Sequence, residues 1–169
     1  MTVRPPPVLT ARTGGAEATR ELAGAVAGLV RAGDIVVLAG DLGTGKTVFV
    51  QGFARALGID EVVTSPTFIL VRPYRGSRLT LLHADAYRLD RAAELLDLGL
   101  LEELDGRAVA CIEWGDLVEA VLPADFLEVR LEQGEGDDER TVWLRSVGRG
   151  WRDRADALQE AVAPWAPGR

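Results

Sequence analysis

Gly40-Asp41-Leu42-Gly43-Thr44-Gly45-Lys46-Thr47 satisfies every fixed position of the pattern G-x-x-x-x-G-K-[ST]. The chemistry such a loop performs is phosphate binding. Glycines let the main chain turn tightly enough for successive N–H groups to converge on phosphate oxygens, and a following helix adds the partial positive charge of its N-terminus. On this reading Asp41, Leu42, Gly43, Thr44 and Gly45 cradle the phosphates of ATP. Lys46 reaches the β and γ phosphates, and the Thr47 hydroxyl takes one position on Mg²⁺. Lys46 is also the only lysine, every other member of the 19 basic residues being arginine. A site cut for a compact ammonium does not accept the wide planar guanidinium, which explains why one lysine persists in an arginine-biased chain.

A phosphate loop needs a carboxylate opposite it, at the end of a neighbouring strand, to fix the metal or its water. Two residues qualify. Glu113 ends the apolar run Val109-Ala110-Cys111-Ile112, and Asp85 ends Leu79-Thr80-Leu81-Leu82-His83-Ala84. His83, the single histidine, falls two residues before Asp85 and so on the same face of a strand, as a structural or a catalytic group. Cys111 lies mid-strand and reads as a small core residue. Trp114 could stack on a base or a partner, or simply pack. Thr13 to Ala16, ahead of the first helix, are the candidate adenine contacts.

The elements that must position these groups follow from periodicity. Leu22, Val26, Leu29 and Val30 recur at helical spacing within Glu17 to Ala32, and Gly33 follows as a helix end. Ile35 to Ala39 is a β-branched run bounded by glycine, the pattern of a buried strand. The loop Gly40 to Gly45 then opens a helix that stops near Leu57 and Gly58. Phe68 to Tyr74 and Leu79 to Asp85 flank turn residues and predict a hairpin. Short helices are expected at Arg91 to Asp97 and Leu100 to Leu104, strands at Val109 to Ile112, Phe126 to Leu131 and Thr141 to Val147, and a terminal helix from about Trp151 to Val162. The acidic stretch Glu132 to Glu139 reads as a loop tip. Interleaved helices and buried strands predict an α/β P-loop sandwich: one domain over 1–169, with a mainly parallel central sheet and an antiparallel hairpin.

Composition narrows the function classes. Hydrophobic residues make up 47% and charged residues 27% of 169 positions, which predicts a packed core without staples. No apolar run approaches the roughly 20 residues that span a bilayer. Met1 to Thr10 carries three prolines and does not resemble a secretory signal. One cysteine excludes an internal disulfide and suits a reducing cytoplasm. The net charge of −7 argues against unaided binding of nucleic acid, whose non-specific affinity comes from basic surface.

Five blocks in order resemble the TsaE family, the ATPase component of bacterial tRNA threonylcarbamoyladenosine synthesis. They are Gly40 to Thr47, Ser65-Pro66-Thr67-Phe68, His83-Ala84-Asp85-Ala86-Tyr87-Arg88-Leu89, Glu113-Trp114 and Leu122-Pro123. The resemblance implies that Thr47 and Glu113 bind Mg²⁺, that Asp85 is needed for hydrolysis, and that Ser65 to Phe68, with Ser65 and Thr67 as the hydroxyl-bearing members, form a switch segment near the γ-phosphate. It implies the TsaD and TsaB proteins as partners, with tRNA reached only through them and ATP hydrolysis resetting the assembly. Thr13, Trp114 and Arg140 complete the candidate nucleotide or partner contacts. The chain departs from the family at Ala84, where an aromatic residue is common, and in the acidic loop that displaces the final basic segment before Arg140.

Two other P-loop classes fit less well. A small-molecule kinase would carry a substrate insertion and an arginine-bearing lid where this chain has a hairpin. A GTPase would need an Asn-Lys-x-Asp motif, and the sequence has no asparagine. A nucleotide-gated binding module with negligible turnover shares every motif and is separated only by measuring hydrolysis.

Overall fold

The computed structural model describes residues 8–66 and 70–168. Its strands are β1 (Val8–Thr13), β2 (Ile35–Ala39), β3 (Val71–Tyr74), β4 (Thr80–Asp85), β5 (Ala108–Glu113), β6 (Phe126–Gln133) and β7 (Arg140–Val147). They form one sheet in the order β1-β7-β6-β2-β5-β4-β3. The central block β6-β2-β5-β4 is parallel throughout. Antiparallel pairing closes both edges, β3 on β4 at one side and β6, β7 and β1 at the other.

The expected parallel centre is therefore present, with a second hairpin beside the one anticipated. Only Gly134 to Glu139 separates β6 from β7, too short for the crossover that a parallel pair requires. The first hairpin forms from Val71, and the Phe68 end of the expected strand lies outside the described residues. β1 was not anticipated. It is an edge strand whose exposed and buried positions do not alternate cleanly, so it leaves little trace in hydropathy.

The helices are α1 (Ala16–Ala27), α2 (Lys46–Ala56), α3 (Glu94–Asp97), α4 (Leu100–Glu103), α5 (Arg149–Arg152) and α6 (Ala155–Val162). α1 ends earlier than its apolar spacing predicts: past Gly28 the N–H groups of Leu29 and Val30 bond only three residues back, to Val26 O and Ala27 O, so the α-helical ladder gives way to a tightened last turn. Val30, beyond that end, remains buried and continues the apolar pattern. The single terminal helix expected from Trp151 is divided at Asp153 and Arg154. There the Arg154 guanidinium reaches back to both Asp34 oxygens at 2.6 and 2.9 Å and to Leu29 O at 2.9 Å.

β2 is buried at all five positions, since it has a strand on each side and helices on each face. On one face Leu22, Val26, Phe49, Phe53, Trp151 and Leu158 pack against Val36, Leu38, Leu127 and Val129. On the other, Leu95 and Leu100 join Val37, Ile112 and Phe126. Between these layers the carboxyl ends of β2, β5 and β4 open side by side. In a parallel sheet that crevice is where ligands are held. No helix among the described residues is long and apolar enough to cross a membrane.

Candidate functional site

The loop Gly40 to Gly45 leaves the carboxyl end of β2 and delivers the chain into α2 at Lys46. Gly40 and Gly45 make the turn possible, with φ of +136° and +101°. At Gly40 a Cβ would also lie 2.3 Å from Leu131 O and 2.8 Å from Thr44 Oγ1, so no larger residue fits. Leu42 projects at the tip of the loop, 88% exposed. Leu42, Gly43, Gly45, Lys46 and Thr47 form one wall of a cleft of about 500 Å³. Val48, Ser65, Asp85, Tyr87, Arg88, Glu113 and Trp114 complete the lining.

Lys46 is buried, and its ammonium donates to Gly40 O at 2.7 Å and Asp41 O at 2.8 Å. The Trp114 ring caps it from the other side, 4.0 Å from Nζ to the centroid, and Tyr87 packs against Trp114 with ring centroids 4.9 Å apart. Trp114 holds a left-handed backbone, φ +56°, the sole non-glycine to do so among the described residues. Burial pulls the Lys46 pKa down, opposed by the carboxylates of Glu113, Asp85, Asp116 and Asp41. Those carboxylates keep a cation favourable in a site that water has partly left.

Asp85 and Glu113 are register partners at the ends of β4 and β5, so both strand-end carboxylates arrive at the same level. Their settings differ. Glu113 is buried and accepts from the Thr47 hydroxyl at 2.9 Å on Oε1 and 3.1 Å on Oε2. His83, fully buried, lies with Nε2 2.6 Å from Glu113 Oε2. Because a carboxylate can only accept, that bond places a proton on Nε2. Asp85 is partly exposed and accepts from the Tyr87 N–H at 2.9 Å. Burial and the neighbouring Glu113 raise its pKa against the pull of that N–H and of His83 and Arg88.

The Thr47–Glu113 pair suits a magnesium ion. Adjacent ligands of an octahedral ion with bonds of about 2.0–2.1 Å stand roughly 2.9 Å apart, which is the separation of Thr47 Oγ1 and Glu113 Oε1. Among the described residues no group of three or more His, Cys, Asp or Glu could hold a metal. A magnesium ion here would draw its other ligands from phosphate and water, the usual arrangement for that ion.

The structure thus brings Leu42, Gly43, Gly45, Lys46, Thr47, Ser65, Asp85, Glu113 and Trp114 around one cleft, while Asp41 and Thr44 bond to each other within the loop, the Thr44 hydroxyl donating to Asp41 O at 2.9 Å. Thr67 lies outside the described residues. Thr13 and Arg140 stand together as register partners of β1 and β7, in a neighbouring depression with Arg12, Gly14 and Gln133. Thr13 is buried, its hydroxyl 2.8 Å from that of Thr19, and so it ties β1 to α1. Arg140 bonds to main-chain carbonyls of the phosphate loop, Thr44 O at 3.1 Å and Gly43 O at 3.4 Å. That contact spans almost a hundred residues of sequence and leaves no local signal. Cys111 is a buried core thiol whose pKa burial pushes well up.

Comparison with known proteins identifies the family. A family model described as threonylcarbamoyl adenosine biosynthesis protein TsaE matches residues 13–142. The Bacillus subtilis tRNA threonylcarbamoyladenosine biosynthesis protein TsaE is 42% identical over 137 residues, covering 81% of this chain and 85% of that protein. The Streptomyces coelicolor protein of the same name is 41% identical over 138 residues, covering 78% and 93%. The crystal structure of Bacillus subtilis YdiB superposes with a TM-score of 0.79 at 34% identity, over 94% of this chain and 98% of that one. A family match across most of the chain, at this identity, leaves one conclusion: the protein belongs to the TsaE family.

Proposed function

We propose that this chain binds ATP with Mg²⁺ in the cleft, hydrolyses it, and acts in the cytoplasm as a nucleotide switch on a TsaB–TsaD complex during tRNA threonylcarbamoyladenosine biosynthesis. The observation that carries this reading is the glycine-turned loop that sets the buried Lys46 in a cleft also lined by Thr47 and by the strand-end carboxylates Glu113 and Asp85. The main-chain N–H groups of Gly43 to Thr47 bind phosphate, and Lys46 exchanges its bonds to Gly40 O and Asp41 O for phosphate oxygens. His83 and Thr47 hold the Glu113 carboxylate in one orientation. A magnesium ion held there would neutralise charge on the β and γ phosphates.

Asp85, at the same level and not engaged with Thr47, orients the attacking water. The new bond joins the water oxygen to the γ-phosphorus as the bond to the β-bridging oxygen breaks, and the water proton leaves toward Asp85 or the released phosphate. Ser65, the first residue of the proposed switch segment, lines the cleft. Loss of the γ-phosphate would release such a segment. The resemblance to TsaE supports TsaB and TsaD as the partners, and the charge of −7 supports contact with tRNA through them rather than directly.

The test is affinity for a TsaB–TsaD complex measured without nucleotide, with ADP and with a non-hydrolysable ATP analogue, alongside single-turnover hydrolysis. A switch can act only through differential affinity, so the ATP-analogue state must differ from the ADP state. Equal affinities in all states would defeat the switch. Absent hydrolysis with and without partners would leave a binding module.

A further inference from the structure

Arg140 begins β7 opposite Gln133 of β6 and Thr13 of β1. Its guanidinium is committed to main-chain carbonyls on two sides. Nε donates to Thr44 O at 3.1 Å and one terminal nitrogen to Gly43 O at 3.4 Å. The other terminal nitrogen donates to Asp137 O and Glu139 O, both at 2.8 Å. A guanidinium has five N–H donors, and these bonds engage all but one of them. The side chain therefore staples the acidic β6–β7 loop to the phosphate loop.

A trans peptide is planar, with its C=O and N–H pointing in opposite directions. Holding Thr44 O therefore turns the Gly45 N–H away from Arg140, and holding Gly43 O does the same to the Thr44 N–H. Thr44 N–H closes a long turn onto Asp41 O at 3.4 Å, which makes Gly45 the better-placed phosphate donor. Arg140 lies in the depression with Arg12 and Thr13, whereas Gly43 and Gly45 line the separate cleft that holds Lys46 and Thr47. We propose that Arg140 is a positioning residue for phosphate, fixing the peptide planes of the loop so that the Gly45 N–H is aimed into the cleft before ligand arrives. This rests on the phosphate-loop reading above, and it assigns Arg140 no direct contact with base or phosphate. Lysine could not replace it, because one ammonium cannot span carbonyls on both loops as a planar fork does.

The experiment uses the full chain as wild type, Arg140→Ala and Arg140→Lys. Affinities for ATP and for inorganic tripolyphosphate are measured by calorimetry, and hydrogen exchange of the Asp41 to Thr47 segment is followed without ligand. Two hydrogen bonds to the loop correspond to about a tenfold change in affinity. The expected result is a loss of that size for both ligands in Arg140→Ala, an intermediate loss in Arg140→Lys, and faster exchange of the segment in both variants. Should Arg140→Ala fail to fold, Arg140→Lys makes the same comparison. A loss for ATP alone would overturn the proposal in favour of a base contact. Unchanged affinities would overturn it outright, and parallel losses without faster exchange would do so in favour of direct phosphate contact. Failure of wild type to bind either ligand would instead refute the phosphate-loop reading.

Discussion

Lys46 sits where burial lowers its pKa and four surrounding carboxylates resist that shift. Such a balance suits an ammonium that must stay charged in a partly dry cleft and exchange loop carbonyls for phosphate. The two strand-end carboxylates differ in their surroundings, and the roles proposed for them differ accordingly. Glu113 is fixed by Thr47 and His83, whereas Asp85 meets a main-chain N–H and keeps partial access to solvent. Glu113→Gln is expected to remove the Mg²⁺-dependent part of ATP affinity, while Asp85→Asn keeps affinity and lowers turnover roughly a hundredfold or more, the scale of a lost general base. Paired binding and turnover measurements decide this, and the reverse pattern would exchange the two roles. Both residues were legible because each ends an apolar run. The hydrogen bond from His83 to Glu113 was not, since it depends on register between strands that lie thirty positions apart in the chain. Sequence spacing could place His83 only on the face of Asp85.

α1 and α2 cover one face of the sheet, and two glycines at their contact illustrate how packing decides the sign of a substitution. A Cβ on Gly52 would lie 2.2 Å from Arg20 O and 2.4 Å from Arg20 Cα, which side-chain motion cannot relieve. A Cβ on Gly24 would meet Ala56 Cβ and Gly52 O at 3.8 Å, ordinary contact. In a free helix both changes to alanine would gain about 1 kcal/mol. Here Gly24→Ala should retain much of that gain, and Gly52→Ala should cost about 1–3 kcal/mol through overpacking. Thermal melts should show Gly52→Ala lowered by roughly 3–10 °C and Gly24→Ala unchanged or raised. A Gly52→Ala protein as stable as wild type would refute the close approach. Elements with strong periodicity, such as Ile35 to Ala39 and the helix after Lys46, could be read directly. β1 and the break at Arg154 could not, because one is an edge strand and the other coincides with an ion pair to Asp34, far back in the chain.

Across the whole molecule, charge couples folding to pH at a cluster built from the turns after Glu113 and from β6 and β7. Glu119 faces Glu128, Asp116 and Arg145, and Arg130 lies within 3.8 Å of Asp116 and Glu128. Burial, and then the facing Glu128, push the Glu119 pKa from an ordinary 4.5 up to about 7. Its Oε1 is buried without a hydrogen-bond partner among the described residues, a place that a proton shared with Glu128 would resolve. The folded state then binds this proton more tightly than the unfolded state, so its contribution to stability falls as pH rises from about 4.5 to about 7. Urea midpoints of wild type at pH 5.5 and 8 should show that fall, and Glu119→Gln should lose part of it. An identical fall in the variant would exclude Glu119 as the source. This cluster had no signal in composition, which reports only the total charge. The proposed phosphate site did have one, because its residues are gathered in a single continuous loop that matches the G-x-x-x-x-G-K-[ST] pattern. The central claim is that this loop binds Mg²⁺-ATP, and titration calorimetry of ATP into the full chain and into Lys46→Ala, each with and without Mg²⁺, tests it most directly. Wild type should bind ATP more tightly with Mg²⁺ than without it, and Lys46→Ala should lose about tenfold to a hundredfold, the value of one charge-assisted hydrogen bond. Equal affinities for wild type and Lys46→Ala, or no binding by wild type, would contradict it.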